Sequence, residues 1–215
     1  MNLDQARFFM VEQQIRPWDV LDPKVLDLLM DTPRHHFVSE SQQALAYSDI
    51  ELPIGEGEFM MAPKVEGKIL QALEINEDDS ILEIGTGSGY LTALLASLGR
   101  EVTTVELHKS LQETAKTRLK EFDNINFHIG DASQDWADNK QYDVIVLTGA
   151  VAEIPETFKQ KLNIGGRLAV ICGESPAMEA EVITRVSDNQ FSTESLFETD
   201  MQYLSNNQPK KIFNF

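Results

Sequence analysis

Cysteine is nearly absent. Cys172 is the only one in 215 residues, so no disulfide can close within the chain, which fits a reducing compartment. Basic residues are scarce: 18 Lys and Arg stand against 35 Asp and Glu, a formal net charge of −17. A nucleic-acid duplex or an anionic membrane calls for a basic face, so no nucleic acid and no membrane is expected as a partner. No apolar run approaches the ~18 residues of a membrane span. The stretch Met1 to Arg7 lacks the basic start and apolar run of a signal peptide, and a cytoplasmic location is expected. Internal repeats and low-complexity tracts are missing. Two adjacent histidines, His35 and His36, have no Cys or carboxylate cluster at ligand spacing, so they read as structural or surface residues and no metal is expected. What remains is ordinary globular material, 42% apolar and 25% charged, enough for one domain with a real core and perhaps a small appendage.

The most informative stretch is Ile81-Leu82-Glu83-Ile84-Gly85-Thr86-Gly87-Ser88-Gly89-Tyr90, followed by Leu91-Thr92-Ala93-Leu94-Leu95 at helical spacing. It reads as a buried parallel strand, a tight turn and a helix start. The glycines permit a sharp turn and close approach to a ligand, and the helix N-terminus offers free N–H groups to an anion. A dinucleotide fingerprint needs Gly or Ala at position 90; Tyr90 stands there, and the third glycine comes one residue early. Glu83 lies two residues before the first glycine. S-adenosylmethionine has a cationic end that suits an acid beside the turn, a carboxylate that suits the helix start, and no phosphate.

Taken in order, residues 2–16 form a helix with Leu3, Phe8, Val11 and Ile15 on one stripe, which Pro17 should end. Asp22 caps a second helix with Pro23 at its first position, and Pro33 closes it. Residues 44–63 read as mostly irregular, with Phe59-Met60-Met61 at the apolar end. A helix resumes over 64–74. Strands follow at 80–84, 102–106, 125–129, 142–148 and 167–171, with helices between the first three at roughly 89–98 and 109–121 and another at 155–162. Two late strands, near 180–188 and 194–204, form an antiparallel edge. This order is a doubly wound α/β domain, a Rossmann-like, mostly parallel sheet preceded by N-terminal helices. Glu106 ends the second strand 21 positions after Gly85, where an acid accepts hydrogen bonds from both ribose hydroxyls. Asp131 ends the third and could accept the adenine amino group while Ala132 offers its amide. Thr148 lies at the carboxyl edge after the fourth. The expected cofactor set is therefore Glu83, Gly85, Thr86, Gly87, Gly89, Glu106, Asp131 and Ala132.

These residues resemble the protein-L-isoaspartate (D-aspartate) O-methyltransferases. Leu82-Glu83-Ile84-Gly85-Thr86-Gly87-Ser88-Gly89-Tyr90 is similar to the family's cofactor motif. Met10 to Ile15, Pro33 to Val38, Ala46 to Asp49, Leu52 to Gly55, Gly130 to Ala132, Tyr142-Asp143 and Gly165 to Leu168 resemble its other segments. The resemblance implies an S-adenosylmethionine-dependent methyltransferase that esterifies isoaspartyl carboxylates in damaged protein, a step in protein repair. It also implies a protein or peptide partner.

One segment departs from the family. Where the family usually reads Gln-Thr-Ile-Ser-Gln-Pro, with hydroxyls that help hold the isoaspartyl carboxylate, this chain has Glu58-Phe59-Met60-Met61-Ala62-Pro63. Met61 stands at the serine position, so no catalytic residue is assigned, and the substrate loop is given as Glu58, Phe59, Met60, Met61 and Thr148. Two alternatives stay open: a methyltransferase of the same fold acting on a more apolar or cationic acceptor, and a protein that binds S-adenosylmethionine without turnover. The expected organisation is N-terminal helices and substrate loop over 1–63, the methyltransferase core over 64–204 and a loosely held polar tail over 205–215.

Overall fold

A computed structural model describes residues 2–209. The chain begins with helix α1 (Leu3–Met10), capped by the Asn2 side chain, which accepts the Gln5 amide at 3.1 Å. The helical path does not stop before Pro17. It widens over Val11–Ile15 and tightens over Arg16–Trp18 before Asp19 turns out with φ +60°. Pro17 is tolerated because the closing bond of that last turn runs from Asp19 N–H to Arg16 O and asks no donor of the proline. Helix α2 (Pro23–Asp31) has the expected start, Asp22 accepting the Lys24 amide at 2.8 Å.

Residues 52–60 are more ordered than an irregular loop. Strands β1 (Leu52–Gly55) and β2 (Glu58–Met60) form a small antiparallel hairpin, Leu52 opposite Met60 and Pro53 opposite Phe59. Gly55, Glu56 and Gly57 all take positive φ at its tip. Alternation over so few residues, interrupted by Pro53, leaves too short a pattern to announce a hairpin.

After helix α3 (Pro63–Leu73) come β3 (Ser80–Ile84), α4 (Tyr90–Leu98), β4 (Glu101–Glu106), α5 (Lys109–Arg118), β5 (Ile125–Ile129), β6 (Tyr142–Leu147), α6 (Glu156–Gln160), β7 (Leu162–Glu174), β8 (Ala177–Ser187) and β9 (Gln190–Thr199). They build one seven-stranded sheet in the order β5-β4-β3-β6-β7-β8-β9. The first five strands are parallel, and β8 and β9 add antiparallel to β7. This is the expected doubly wound, Rossmann-like sheet with N-terminal helices. Ile81, Leu82, Val144, Ile145 and Val146 are fully buried, as strands covered on both faces require. The strand order reverses between β3 and β6, and the crevice outside the carboxyl ends there is where such sheets bind ligands.

The segment after β9 is not loosely held where it is described. Residues 200–207 strap back across the carboxyl edge of the sheet. Ala150 N–H donates to Gln202 O at 2.9 Å, Leu204 N–H to Ala150 O at 2.8 Å and Ala152 N–H to Asn207 O at 3.1 Å. Asn207 is buried, and its side chain donates to Ser133 O. Polar composition misled here, because Asn207 serves a fixed backbone carbonyl and Asn206 the Asp131 carboxylate. Residues 210–215 of the expected tail lie outside the described residues. No described helix is long and apolar enough to cross a membrane.

Candidate functional site

The carboxyl ends of β3, β4, β5 and β6 meet in one place. Past Ile84 the backbone turns through Gly85, Gly87 and Gly89 at φ +97°, +52° and +84°. The need for glycine is clearest at Gly85, where a Cβ would sit 2.2 Å from the Thr148 hydroxyl oxygen. The turn is tied down by Gly85 N–H to Val105 O at 2.8 Å and Gly89 N–H to Thr86 O at 2.9 Å. Gly89 caps α4.

Glu106 ends β4, almost fully buried. One carboxylate oxygen accepts the Gly87 amide at 2.8 Å and the other the His108 amide at 2.9 Å. A carboxylate has about four acceptor sites, so each oxygen keeps a lone pair for a further donor. Asp131, beyond β5, accepts the Ser133 amide at 2.9 Å and the Asn206 side-chain amide at 2.8 Å. The Ser133 amide above all holds the Asp131 carboxyl below the usual range.

These groups face a cavity of about 730 Å³. Its sheet side carries Gly85, Gly87, Glu106, Asp131, Ala132 and Thr148, and its outer side carries Glu58 and Phe59 from the hairpin and Met61 just past it. A smaller cavity of about 290 Å³ adjoins it and is lined by Thr86 and Met60 as well. The cofactor and hairpin residues expected from the sequence therefore converge, with two exceptions. Gly89 and Glu83 stand outside both linings. Glu83 is fully buried, one oxygen accepting the Thr92 and Thr104 hydroxyls at 2.6 Å each, the other without a partner among the described residues. Burial pushes its carboxyl up to about 8.

Two geometric facts bear on an acceptor. The Thr148 hydroxyl has one hydrogen, and it is directed at the carbonyls of Ile84 and Gly85, 2.9 and 2.8 Å away. It has none left to donate to a carboxylate. Glu58 is not a free charge. It accepts the Ser205 hydroxyl at 3.0 Å and the Gln202 amide at 3.2 Å, and lies 3.5 Å from His108 Nε2. The larger cavity is also lined by Glu51, whose carboxyl burial pushes up, with Asp200 adding to the shift; among the described residues no Lys or Arg lines it.

The sequence reading missed His108, Gln202, Ser205 and Asn206, whose roles depend on the strap folding back across the edge. It also missed Glu66, which lines the smaller cavity. A signal for Glu66 existed: it lies three, four and seven residues before Ile69, Leu70 and Leu73, on the apolar stripe of α3. Its partner there is Arg34, also fully buried. His35 is structural, its Nδ1 2.6 Å from the Tyr47 hydroxyl. No group of three His, Cys, Asp or Glu among the described residues is placed to hold a metal.

Comparison with known proteins places this arrangement. Residues 7–207 match the family model described as protein-L-isoaspartate(D-aspartate) O-methyltransferase. The protein-L-isoaspartate O-methyltransferase of Petrotoga mobilis is 36% identical over 197 residues, covering 90% of this chain and 92% of that protein. The one from Vibrio atlanticus is 40% identical over 177 residues, covering 81% and 83%. Among solved structures, a Plasmodium falciparum β-aspartate methyltransferase in complex with S-adenosyl-L-homocysteine superposes with a TM-score of 0.79 at 20% identity, covering 96% of this chain and all of that one. That likeness shows the fold. The glycine turn, the strand-end acids and the match over nearly the whole chain agree, and this chain belongs to the protein-L-isoaspartate(D-aspartate) O-methyltransferase family of S-adenosylmethionine-dependent enzymes.

Proposed function

We propose that the chain transfers a methyl group from S-adenosylmethionine to the α-carboxyl of isoaspartyl residues in damaged protein or peptide, in the cytoplasm. The observation that carries this reading is the single cavity in which the cofactor-type strand ends face the hairpin. The residues fit the cofactor: Gly85 and Gly87 present bare backbone to the cavity, and Glu106, which lines it too, keeps acceptor capacity. When bound, the cofactor supplies an electrophilic methyl on a sulfonium. Glu106 would hold the ribose hydroxyls and Asp131 with Ala132 the adenine edge. Phe59 and Met61 would exclude water above the reacting centre. A carboxylate acceptor is already nucleophilic, so the protein's task is placement rather than proton removal. That agrees with a Thr148 whose hydrogen is committed to backbone carbonyls.

The test is transfer of labelled methyl from S-adenosylmethionine to an isoaspartyl peptide, with the aspartyl peptide as control. Selective labelling of the isoaspartyl peptide is expected. No labelling by protein that binds the cofactor would overturn the proposal. A second reading, a more apolar or cationic acceptor, is favoured by the acidic side chains Glu51, Glu58, Glu106 and Asp131 in the lining and by Met61 at the family's serine position. Labelling of amine acceptors in place of the isoaspartyl peptide would establish it.

A further inference from the structure

The smaller cavity continues the larger one past the glycine turn. The two share Ile54, Phe59, Met61, Gly85, Gly87 and Thr148. Among the described residues, one ionisable side chain lines the smaller cavity, Glu66. It is 1% exposed and sits on α3, close under the turn. Its Oε2 accepts the Arg34 guanidinium. No protein donor reaches Oε1 among the described residues. Arg34 is fully buried as well; it donates to the Met61 carbonyl and stands 4.9 Å from the centre of the Tyr90 ring. A carboxylate this deep with one open oxygen is expensive unless a second donor completes it. Burial outweighs the guanidinium and pushes the Glu66 carboxyl up to about 7, so one cation does not fully offset its desolvation.

Resting on the cofactor reading above, the direction of the ligand follows. With the adenosine against Glu106 and Asp131, the rest of S-adenosylmethionine would pass Gly85 and Gly87, which line both cavities, and its amino-acid end would enter the smaller one. That end carries an α-ammonium, and the anion on this wall is Glu66. We infer that the open carboxylate oxygen of Glu66 receives the α-ammonium of the cofactor's methionine moiety. Arg34 is then a positioning residue: one guanidinium holds both Glu66 and the Met61 carbonyl, and so links the cofactor wall to the hairpin. Glu83, the acid that the sequence offered for this role, is turned to Thr92 and Thr104 instead.

The experiment is calorimetric titration of two ligands, S-adenosylhomocysteine and 5′-methylthioadenosine. The second has the adenosine and the thioether but no amino-acid end. The proteins are the unmodified chain, Glu66→Gln and Glu83→Gln. Glu66→Gln should bind S-adenosylhomocysteine about ten-fold or more weakly, the loss of one charge-assisted hydrogen bond. It should bind 5′-methylthioadenosine within about two-fold of the unmodified chain, since a direct contact leaves the adenosine site intact. If Glu66→Gln does not fold, Glu66→Asp keeps the charge for Arg34 but draws the oxygen back, and the same pattern is expected. An equal loss for both ligands, no loss for S-adenosylhomocysteine, or a selective loss in Glu83→Gln but not Glu66→Gln would overturn the inference while leaving the cofactor reading intact. Failure of the unmodified chain to bind either ligand would overturn both.

Discussion

Glu106 accepts the amide of Gly87 at 2.8 Å, so the acid that ends β4 also fixes the turn that ends β3. One carboxylate thereby sets the cradle and faces the cavity. Glu106→Ala should weaken S-adenosylmethionine binding by about ten- to hundred-fold, from lost charge-assisted bonds to the ribose. It should also cost about 1–3 kcal/mol of stability, because the Gly87 and His108 amides lose their acceptor. Calorimetric titration and urea unfolding read the two effects separately. Unchanged affinity would remove Glu106 from the cofactor site.

Gly85→Ala tests the turn itself. Its backbone lies at φ +97°, which L side chains rarely adopt, and the new methyl would meet the Thr148 hydroxyl oxygen at 2.2 Å. Strain of this kind costs roughly 1–3 kcal/mol before the clash is relieved. Relief requires Thr148 to leave the Ile84 and Gly85 carbonyls. The variant should unfold at lower denaturant and bind the cofactor poorly. Wild-type stability would show that the turn has room that its geometry denies.

The sheet and the glycine-turn side of the cavity were legible because their signals are local. Apolar runs such as Val144 to Leu147 and the spacing of Gly85, Gly87 and Gly89 need no knowledge of distant partners. Glu106 and Asp131 followed from standing at strand ends. The rest is written in long-range contacts. Glu58 meets Ser205 across 147 positions, and Asn206 reaches Asp131 across 75. No periodicity in residues 200–207 announces a strap. Glu83 shows the opposite failure: its place before the turn was right, but strand alternation points the side chain at α4 and into full burial.

Met61→Ser restores a hydroxyl where the family usually has serine. Met61 is 5% exposed and lines both cavities, and its backbone is already held by Arg34. Trimming it should cost about 2–4 kcal/mol of stability from lost packing. The new hydroxyl would face a cavity whose Thr148 has no hydrogen to give, so kcat/KM on an isoaspartyl peptide should rise several-fold. Steady-state kinetics with the labelled cofactor measures it. A fall in kcat/KM at unchanged cofactor affinity would show that the methionine itself shapes the acceptor site.

Two buried acids give the protein an unusual pH profile. Burial pushes the Glu66 and Glu83 carboxyls up from 4.5 to about 7 and about 8. Between those values the folded state holds more protons than the unfolded one, so stability falls as pH rises. The effect is complete below the unfolded value, where both states are protonated, and fully spent above the folded ones. Each group contributes a slope of at most ~1.4 kcal/mol per pH unit. General repulsion in a chain of net charge −17 has the same sign, so a variant must separate the two. Glu83→Gln cannot ionise, and its amide oxygen can still accept from Thr92 and Thr104. Relative to the unmodified chain it should gain stability steadily from about pH 5 to about pH 8, in urea unfolding at several pH values. Parallel stability curves for the two proteins would mean that Glu83 is ionised in the folded state throughout, with a cation or water supplied to the oxygen that has no protein partner.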